Sequence, residues 1–224
     1  MTFRDDLDDP TIAVAREPAE DASVTLVAFA GIRGGLGIPP YEFLRSTEGV
    51  RARRILIRDL DQVWYLRGVR GLGGSIAEAA AALRDEVGDG RLVLTGNSAG
   101  GFAAIAFGAL AGADEVHAFS PQTAIDRAHR ARWLDGRWMG RMHQVRRLPS
   151  GTGPLDLSPL VRERPGPAIH LHYCGSHGRD ARHAGHLTGL PGVTPHAHEG
   201  DGHRLVRDLR DRGDLARILA RAVG

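Results

Sequence analysis

The chain has 224 residues, of which 42% are hydrophobic and 25% charged. These proportions are typical of one globular domain with a continuous core, and they exclude a disordered or low-complexity chain. The formal net charge is +2, and all 29 basic residues are arginines that are interspersed with 27 acidic residues. A nucleic-acid-binding protein would cluster its basic residues on one face, so we expect no nucleic-acid partner. Cys174 is the single cysteine, which excludes disulfides and cysteine-based zinc sites within the chain.

Membrane and export signals are weak in this sequence. No apolar run approaches the roughly 20 residues needed to cross a bilayer. The N-terminal segment, Met1 to Asp6, is acidic and lacks the apolar stretch of a signal peptide. We therefore expect a cytoplasmic protein without a membrane partner, whereas its oligomeric state is left open.

The first half of the chain alternates between strand and helix patterns. In order, the sequence predicts an edge strand over 11–15, a buried strand over 23–30, a glycine-rich loop over 31–37, a short helix over 41–46 that Pro39-Pro40 opens, and a strand over 54–59. Ser75 and Glu78 then have capping-box spacing, which predicts a helix that begins at Ile76. Gly88 is expected to end it.

The second half continues this alternation around one irregular insertion. The sequence predicts a strand from Leu92, a helix to about Ala111, a strand over 115–120, a lid-like insertion over 121–167, a strand over 168–174, a helix over 180–187, a strand over 193–198, and terminal helical turns broken at Gly213 with Asp214 as a new N-cap. Such alternation predicts an α/β fold with a mostly parallel sheet and helices on both faces. We expect one domain over residues 1–224.

The central motif is Gly96-Asn97-Ser98-Ala99-Gly100, which lies between an apolar strand pattern and a helix of small residues. A strand that turns sharply into a helix with Ser at the apex is a nucleophile elbow. Gly96 and Gly100 are expected where a Cβ would collide with the neighbouring backbone. The motif therefore predicts Ser98 as a nucleophile.

A serine hydroxyl is a weak nucleophile, so Ser98 requires a base. The best candidate is His203, on a glycine-flanked loop after the last strand, whereas His196 and His198 fit structural roles in that strand. Asp180 is the first carboxylate after the preceding strand and is the predicted acid that orients His203. The alternative role for Asp180 is a helix cap. Asp201 is the fallback acid.

The remaining candidates would hold the substrate. We expect the oxyanion to be bound by backbone N–H groups of Ala99 and of Gly31 or Ile32, because acyl transfer needs two such donors. The insertion carries Trp133, Trp138 and Arg137, which we predict to be substrate-binding. Its arginines are possible anchors for a phosphate or carboxylate.

Two stretches partly resemble other functional motifs, a zinc site and a dinucleotide-binding loop, but match these patterns poorly. The run from His196 to His203 is rich in histidine and acid residues, but its spacing does not match known zinc patterns, so no metal is predicted. The glycine-rich stretch 71–76 has Ile76 where a dinucleotide fingerprint needs its last glycine, and no strand directly precedes it. We therefore predict no cofactor.

Several stretches resemble small bacterial serine α/β-hydrolases whose nucleophile elbow reads Gly-Asn-Ser-x-Gly-Gly. They are 96–104, 118–123, 64–68 and 202–206, and the similarity covers roughly 23–124 and 168–222. Asp180 and His183 also lie in an Asp-x-x-His-Ala pattern of that family. The resemblance implies the α/β-hydrolase fold and a triad of Ser98, His203 and Asp180. It does not supply a substrate, and the segment 127–164 lies outside it.

The sequence thus predicts a serine hydrolase of esterase or thioesterase type. Its partner would be a small-molecule or carrier-bound acyl substrate, cleaved through an acyl-enzyme. Acyl transfer or cyclisation is an alternative, in which an amine or alcohol replaces water in the second step. A non-catalytic binding protein of the same fold is another, although such a protein has no reason to keep all three triad residues.

Overall fold

A computed structural model describes residues 2–19, 22–32 and 41–224. Most of the predicted glycine-rich loop, from Arg33 to Gly37, and the Pro39-Pro40 pair lie outside the described residues. The other predicted elements lie within them.

A seven-stranded sheet forms the centre of the molecule. Its strands are β1 (Val14–Glu17), β2 (Val24–Phe29), β3 (Arg53–Ile57), β4 (Arg91–Asn97), β5 (Glu115–Phe119), β6 (Ala168–Cys174) and β7 (Val193–His198). They are arranged in the order β1-β3-β2-β4-β5-β6-β7, and every pair is parallel except the edge pair β1–β3. The sheet is therefore mostly parallel, and the carboxyl ends of β2 and β4 to β7 meet at one edge, where ligands bind in open α/β sheets.

Helices follow the strands and cover the sheet. They are α1 (Phe3–Asp8), α2 (Ile76–Val87), α3 (Ala99–Ala111), α4 (Arg127–Arg132), α5 (Met139–Val145), α6 (Leu157–Glu163), α7 (Gly178–Leu187), α8 (Leu205–Asp211) and α9 (Asp214–Val223). One 3₁₀ turn, Gly202–Arg204, precedes α8. Among the described residues, no helix combines the length and apolar character that a membrane span requires.

The core explains the composition of the central elements. All six residues of β2 are buried, as expected for a parallel strand covered on both faces. Helix α3 is buried at twelve of its thirteen positions, so it needs small residues to pack closely. Gly108 illustrates this, because a Cβ at that position would lie 2.5 Å from Val116 Cγ2.

Most predicted elements are confirmed, and two details are wrong. The cap of α2 forms as predicted, since Ser75 accepts the Glu78 N–H. The predicted helix over 41–46 is instead a series of turns, because Phe43 has a positive φ of 71° that interrupts a right-handed helix. The N-cap position of α9 is Gly213, with φ 76°, and Asp214 lies inside the helix.

The insertion over 121–167 contains α4, α5 and α6. Ala124 forms an isolated antiparallel bridge with Asp156, which closes the base of this segment. Leu157 and Val161 of α6 are buried in the main core, and α6 packs against α3 and α7. The insertion is therefore joined firmly to the sheet domain at its α6 end.

Candidate active site

Ser98 lies between β4 and α3 in a conformation that the sequence predicts. Its φ of 55° and ψ of −113° are unfavourable for a residue with a Cβ. The turn is possible because Gly96 and Gly100 pack where a Cβ would collide with the carbonyls of Gly100 and Phe29, respectively. This sharp turn places Ser98 Oγ at the carboxyl edge of the sheet.

His203 and Asp180 complete a hydrogen-bonded line with Ser98. Ser98 Oγ is 3.0 Å from His203 Nε2, and His203 Nδ1 is 3.0 and 2.9 Å from the two carboxylate oxygens of Asp180. These contacts assign the proton of a neutral His203 to Nδ1, which leaves Nε2 free to accept the Ser98 proton. The three residues lie in the segments that follow β4, β6 and β7, so only the sheet brings them together.

The alternative acid does not occupy this position. The side chain of Asp201 is 80% exposed and lies 3.6 Å from Arg204. Asp180 is fully buried in the first turn of α7. Its carboxylate contacts His203, so the side chain does not serve as the N-cap of that helix.

The insertion supplies an arginine that contacts the acid. Arg137 Nη1 donates to Asp180 Oδ1 at 3.0 Å, while its Nε and Nη2 donate to the carboxylate of Asp135 at 2.9 and 2.7 Å. Asp135 in turn accepts from His183 Nε2 at 3.1 Å, and His183 Nδ1 accepts the Thr123 N–H at 3.1 Å. This buried network links the insertion to the carboxyl edge of the sheet, where Asp180 and His203 lie.

The network determines the ionisation of both carboxylates. Burial acts to raise the pKa of Asp180, but the hydrogen bond from His203 and the charges of His203 and Arg137 outweigh it and lower the pKa to about 2. Burial acts likewise on Asp135, and hydrogen bonds from His183 and Arg137 hold its pKa far below the usual range. Both residues are therefore carboxylates at neutral pH, as a group that orients an imidazole must be.

A buried glutamate on the other side of Ser98 was missed by the sequence analysis. Glu42 accepts from the Gly31 N–H at 3.0 Å and from Asn97 Nδ2 at 2.8 Å. Burial raises its pKa, whereas the bonds from Gly31 and Asn97 and the charge of His203 act to lower it. No local pattern marks Glu42, because its partners lie 11 and 55 residues away in the chain.

Two of the predicted oxyanion donors, Gly31 and Ala99, lie beside Ser98, but only one of them has an N–H group without a partner among the described residues. A Cβ on Gly31 would lie 3.8 Å from Ser98 Cβ, so this loop does pass the nucleophile. The Gly31 N–H already donates to Glu42, however, and is engaged in this structure. Ala99 occupies the first position of α3, where backbone N–H groups have no intrahelical partner. Ala99 is therefore the better-supported candidate donor, and Ile32 stays a sequence-based prediction.

Gln122 is a second residue that the sequence analysis did not single out. Its side chain is fully buried, and its Oε1 is 3.5 Å from Ser98 Oγ and 3.1 Å from Trp64 Nε1. Its Nε2 has no hydrogen-bond partner among the described residues. It lies in a stretch, 118–123, that carries the family resemblance.

A cavity of about 700 Å³ opens beside His203 and Asn97. It is bounded by the turn 41–46, by the 3₁₀ turn that contains Arg204, and by one side of α8, which contributes Arg207 and Arg210. With Arg45 the lining holds four arginines, against the carboxylates of Glu42 and Asp211. Two of these arginines also lie near Asp211, at 3.7 Å from Arg207 and 3.2 Å from Arg210. The cavity therefore combines an apolar lining, from residues such as Phe43 and Val206, with an excess of positive charge.

The three predicted substrate-binding residues of the insertion lie elsewhere. Arg137 is 13% exposed and is occupied by two carboxylates behind the triad. Trp133 packs edge-on against His183 with ring centroids 4.8 Å apart, and Trp138 packs against the main core. None of them lines the cavity beside His203. The insertion thus supports Asp180, and the arginines that line the cavity come from the turn 41–46, the 3₁₀ turn and α8.

Comparisons of sequence and of structure give different results. No protein-family model matches the chain, and no curated protein matches its sequence. Solved structures match over nearly the whole chain. A capsule O-acetyltransferase of Neisseria meningitidis serogroup A has a TM-score of 0.69 at 10% identity, covering 93% of this chain and 90% of that one.

Two further structures have the same architecture. MenH from S. aureus has a TM-score of 0.60 at 15% identity, covering 93% of this chain and 97% of that one. The carboxylesterase CesB from Bacillus subtilis has a TM-score of 0.57 at 14% identity, covering 92% and 86%. At these identities the likeness concerns the fold. Together with the parallel sheet and the strand–turn–helix at Ser98, it shows that the chain has the α/β-hydrolase fold.

Proposed function

We propose that this protein is a serine hydrolase that cleaves an ester, thioester or related acyl bond through an acyl-enzyme. The observation that carries the proposal is the line from Ser98 Oγ through His203 to Asp180, with contacts of 3.0 and 2.9 Å. A serine, a base and an orienting carboxylate in this arrangement are what nucleophilic acyl transfer requires.

The geometry supports a two-step reaction. Ser98 Oγ attacks the acyl carbon as its proton passes to His203 Nε2, and the tetrahedral oxyanion is held by backbone N–H groups, for which Ala99 and Ile32 are the candidates. His203 then protonates the leaving group as its bond to carbon breaks. In the second step, water gives a proton to His203 and adds to the acyl carbon. Ser98 finally leaves with that proton restored.

The charge of the cavity supports an anionic substrate. Arg204, Arg207 and Arg210 line the space beside His203, where they would favour an acyl donor that carries phosphate or carboxylate. This differs from the sequence-based expectation only in the source of the arginines. They come from the 3₁₀ turn and α8, whereas Arg130 and Arg137 of the insertion donate to groups within the protein.

Labelling with a fluorophosphonate tests the nucleophile. We expect the wild-type protein to take up one equivalent at Ser98, and Ser98→Ala to take up none while keeping its circular dichroism spectrum. Ser176→Ala is the matched control, because Ser176 is exposed and lies outside the line of contacts. Labelling that persists in Ser98→Ala would remove Ser98 from the mechanism.

A pair of thioesters tests the substrate class. Acetyl-coenzyme A and the acetyl thioester of N-acetylcysteamine share the reacting bond, but only the first carries phosphates. We expect a higher kcat/KM for the first, and a loss of roughly threefold for that donor alone in Arg207→Gln. Arg217→Gln, an exposed arginine of α9, is the control. Equal effects on both donors would contradict an anionic substrate.

The same donors distinguish hydrolysis from transfer. We expect free acid as the main product, with or without millimolar amines or alcohols. Capture of most of the acyl group by the added acceptor would make the protein an acyltransferase instead, since positioning of an acceptor can match effective concentrations far above that of water.

A further inference from the structure

One face of the sheet, away from the triad, carries a cluster of histidines. On β5, β6 and β7 the residues two apart point to the same face, which groups Glu115 with the histidines of these strands: His117, His170, His172, His196 and His198. Their rings stack across the strands, with centroids 4.8 Å apart for His117 and His170 and 5.3 Å apart for His117 and His172. This histidine face does not contribute to the proposed acyl chemistry.

The hydrogen bonds of the cluster leave two ring nitrogens directed at one carboxylate. His117 Nδ1 is 3.0 Å from His172 Nε2, and His170 Nδ1 is 3.0 Å from His196 Nε2. The opposite nitrogens, Nε2 of His117 and of His170, lie 2.8 and 3.6 Å from Glu115 Oε1. All three ligand atoms are within 4.8 Å of one another.

We propose that Glu115, His117 and His170 form a binding site for a divalent transition-metal ion of the Zn²⁺ type. Zinc binds imidazole nitrogen and carboxylate oxygen at about 2.0–2.2 Å, so tetrahedral ligands stand about 3.3–3.6 Å apart. The 3.6 Å separation from His170 matches that spacing, and the 2.8 Å separation from His117 would have to lengthen by about 0.5 Å to admit the ion. Imidazole nitrogen favours Zn²⁺, Ni²⁺ or Cu²⁺ over Mg²⁺ and Ca²⁺.

Partial exposure leaves room for a further ligand. The side chains of Glu115 and His170 are 19% and 26% exposed, whereas that of His117 is 8% exposed. The ion can therefore enter from solvent and take water as a fourth ligand. A site open on one side is accessible to exchange with metal in solution.

The surroundings orient these ligands as a metal site requires. Metal-binding histidines usually donate their other N–H to an acceptor that fixes the ring. Here His172 and His196 stand at that position for His117 and His170, respectively. Arg91 holds the other carboxylate oxygen of Glu115 at 2.8 Å, which leaves Oε1 for the ion.

Proton balance is kept when the ion binds. With His117 Nε2 on the metal, its proton moves to Nδ1 and is donated to His172 Nε2. The proton of His172 then lies on Nδ1 and is donated to His198 Nε2, 3.0 Å away, so His198 holds its own proton on Nδ1. Each imidazole ring keeps one proton and stays neutral, and the Glu115 carboxylate offsets one of the two charges of the ion.

The site lies at the far end of the strands from the nucleophile. Glu115 is the first residue of β5, whereas the triad lies beyond the carboxyl ends of β4 and β6. The two ends of β5 are four residues, or about 13 Å, apart. We therefore assign the ion a structural role, in which it links β5 to β6.

A second group, formed by His129, Asp156 and His186, is a weaker candidate. Asp156 Oδ1 already accepts the Ser158 N–H at 2.9 Å, as the N-cap of α6, and contacts His186 Nε2 at 2.6 Å. That oxygen is thus already engaged in a helix cap, and His129 Nδ1 is paired with Asp126 at 2.7 Å. This group serves as the competitor in the test below.

The test uses the full chain after removal of metal with a chelator. Zn²⁺ binding is measured by calorimetry and Co²⁺ binding by visible absorbance, with thermal unfolding in parallel. We expect the protein to bind one equivalent of each ion. Bound Co²⁺ should show absorption bands typical of a low coordination number, and Zn²⁺ should raise the unfolding temperature. Glu115→Gln and His170→Gln should each weaken binding by about tenfold or more, while fluorophosphonate labelling of Ser98 is retained.

Two variants serve as controls. His143→Gln alters an exposed histidine of the insertion, and His186→Gln removes the competing group. Both should bind Zn²⁺ as the wild type does. The proposal is overturned if no stoichiometric binding occurs below about 100 µM, or if His186→Gln abolishes binding and Glu115→Gln does not.

Discussion

Arg137 of the insertion donates to Asp180 Oδ1 at 3.0 Å, and His203 Nδ1 donates to the same oxygen at 3.0 Å. One carboxylate oxygen therefore joins the insertion to the base of the triad. The Arg137 guanidinium is fixed from the other side by Asp135, so it has little freedom to leave Asp180. The insertion acts as a support for the triad rather than only as a cover over it.

Arg137→Gln should lower kcat by about tenfold or more, equivalent to roughly 1.4 kcal/mol in the barrier. KM should change little, because Arg137 does not line the cavity beside His203. Removing the cation leaves the buried Asp135 without its closest charge partner, since Arg130 is 4.0 Å away, so we also expect a lower unfolding temperature. Arg132→Gln, an exposed arginine of α4, is the control and should have neither effect. A rise in KM alone would instead indicate a substrate contact.

Asp180→Asn should reduce kcat on the order of 10⁴-fold, since an amide can hold the imidazole in the wrong tautomer. Asp201→Asn should have a small effect, because the Asp201 side chain is 80% exposed. Steady-state kinetics of both variants with one thioester decide between them. If the ranking is reversed, Asp201 is the acid.

Acid should destabilise the protein over a defined pH range. The pKa of Asp180 is about 2 in the folded protein, below its usual value, so the unfolded state binds the proton more readily. The resulting stabilisation is complete above about pH 4 and is lost as the pH falls through 2. It amounts to roughly 2 kcal/mol.

Denaturant unfolding between pH 7 and pH 2 measures this loss. Asp180→Asn should show a smaller decrease in the free energy of unfolding over that range than the wild type does. An equal decrease in both proteins would show that Asp180 does not contribute to the acid sensitivity.

Glu42→Gln tests the support on the other side of Ser98. An amide can accept through only one of its two ends, so either the Gly31 N–H or Asn97 Nδ2 would face a donor. A buried polar group without its partner costs about 1–3 kcal/mol. We expect a lower unfolding temperature and a reduced kcat with unchanged fluorophosphonate stoichiometry. Glu48→Gln, an exposed residue of the same segment, is the control.

The local sequence determined most secondary-structure elements of this protein and the position of the candidate nucleophile, Ser98. Strand and helix periodicity located β6 and β7 at their observed bounds, and the Ser75 cap fixed the start of α2. The glycines around Ser98 marked the elbow; the Gly96 requirement is local, since a Cβ there would meet the Gly100 carbonyl, whereas the Gly100 requirement comes from the Phe29 carbonyl of β2. Apart from that last contact, these features follow from short-range sterics and hydrogen bonding, which a short stretch of sequence contains.

The tertiary structure alone decided which residues meet. Arg137 and Asp180 are 43 residues apart, Glu42 and Asn97 are 55 apart, and His117 and His170 are neighbours because β5 pairs with β6. The surroundings of these residues then determine their ionisation. Each charge that is buried in the low-dielectric interior needs a partner, and the adjacent strand or helix supplies it. The order of strands in the sheet therefore determined the supports of the triad and the ligands of the proposed metal site.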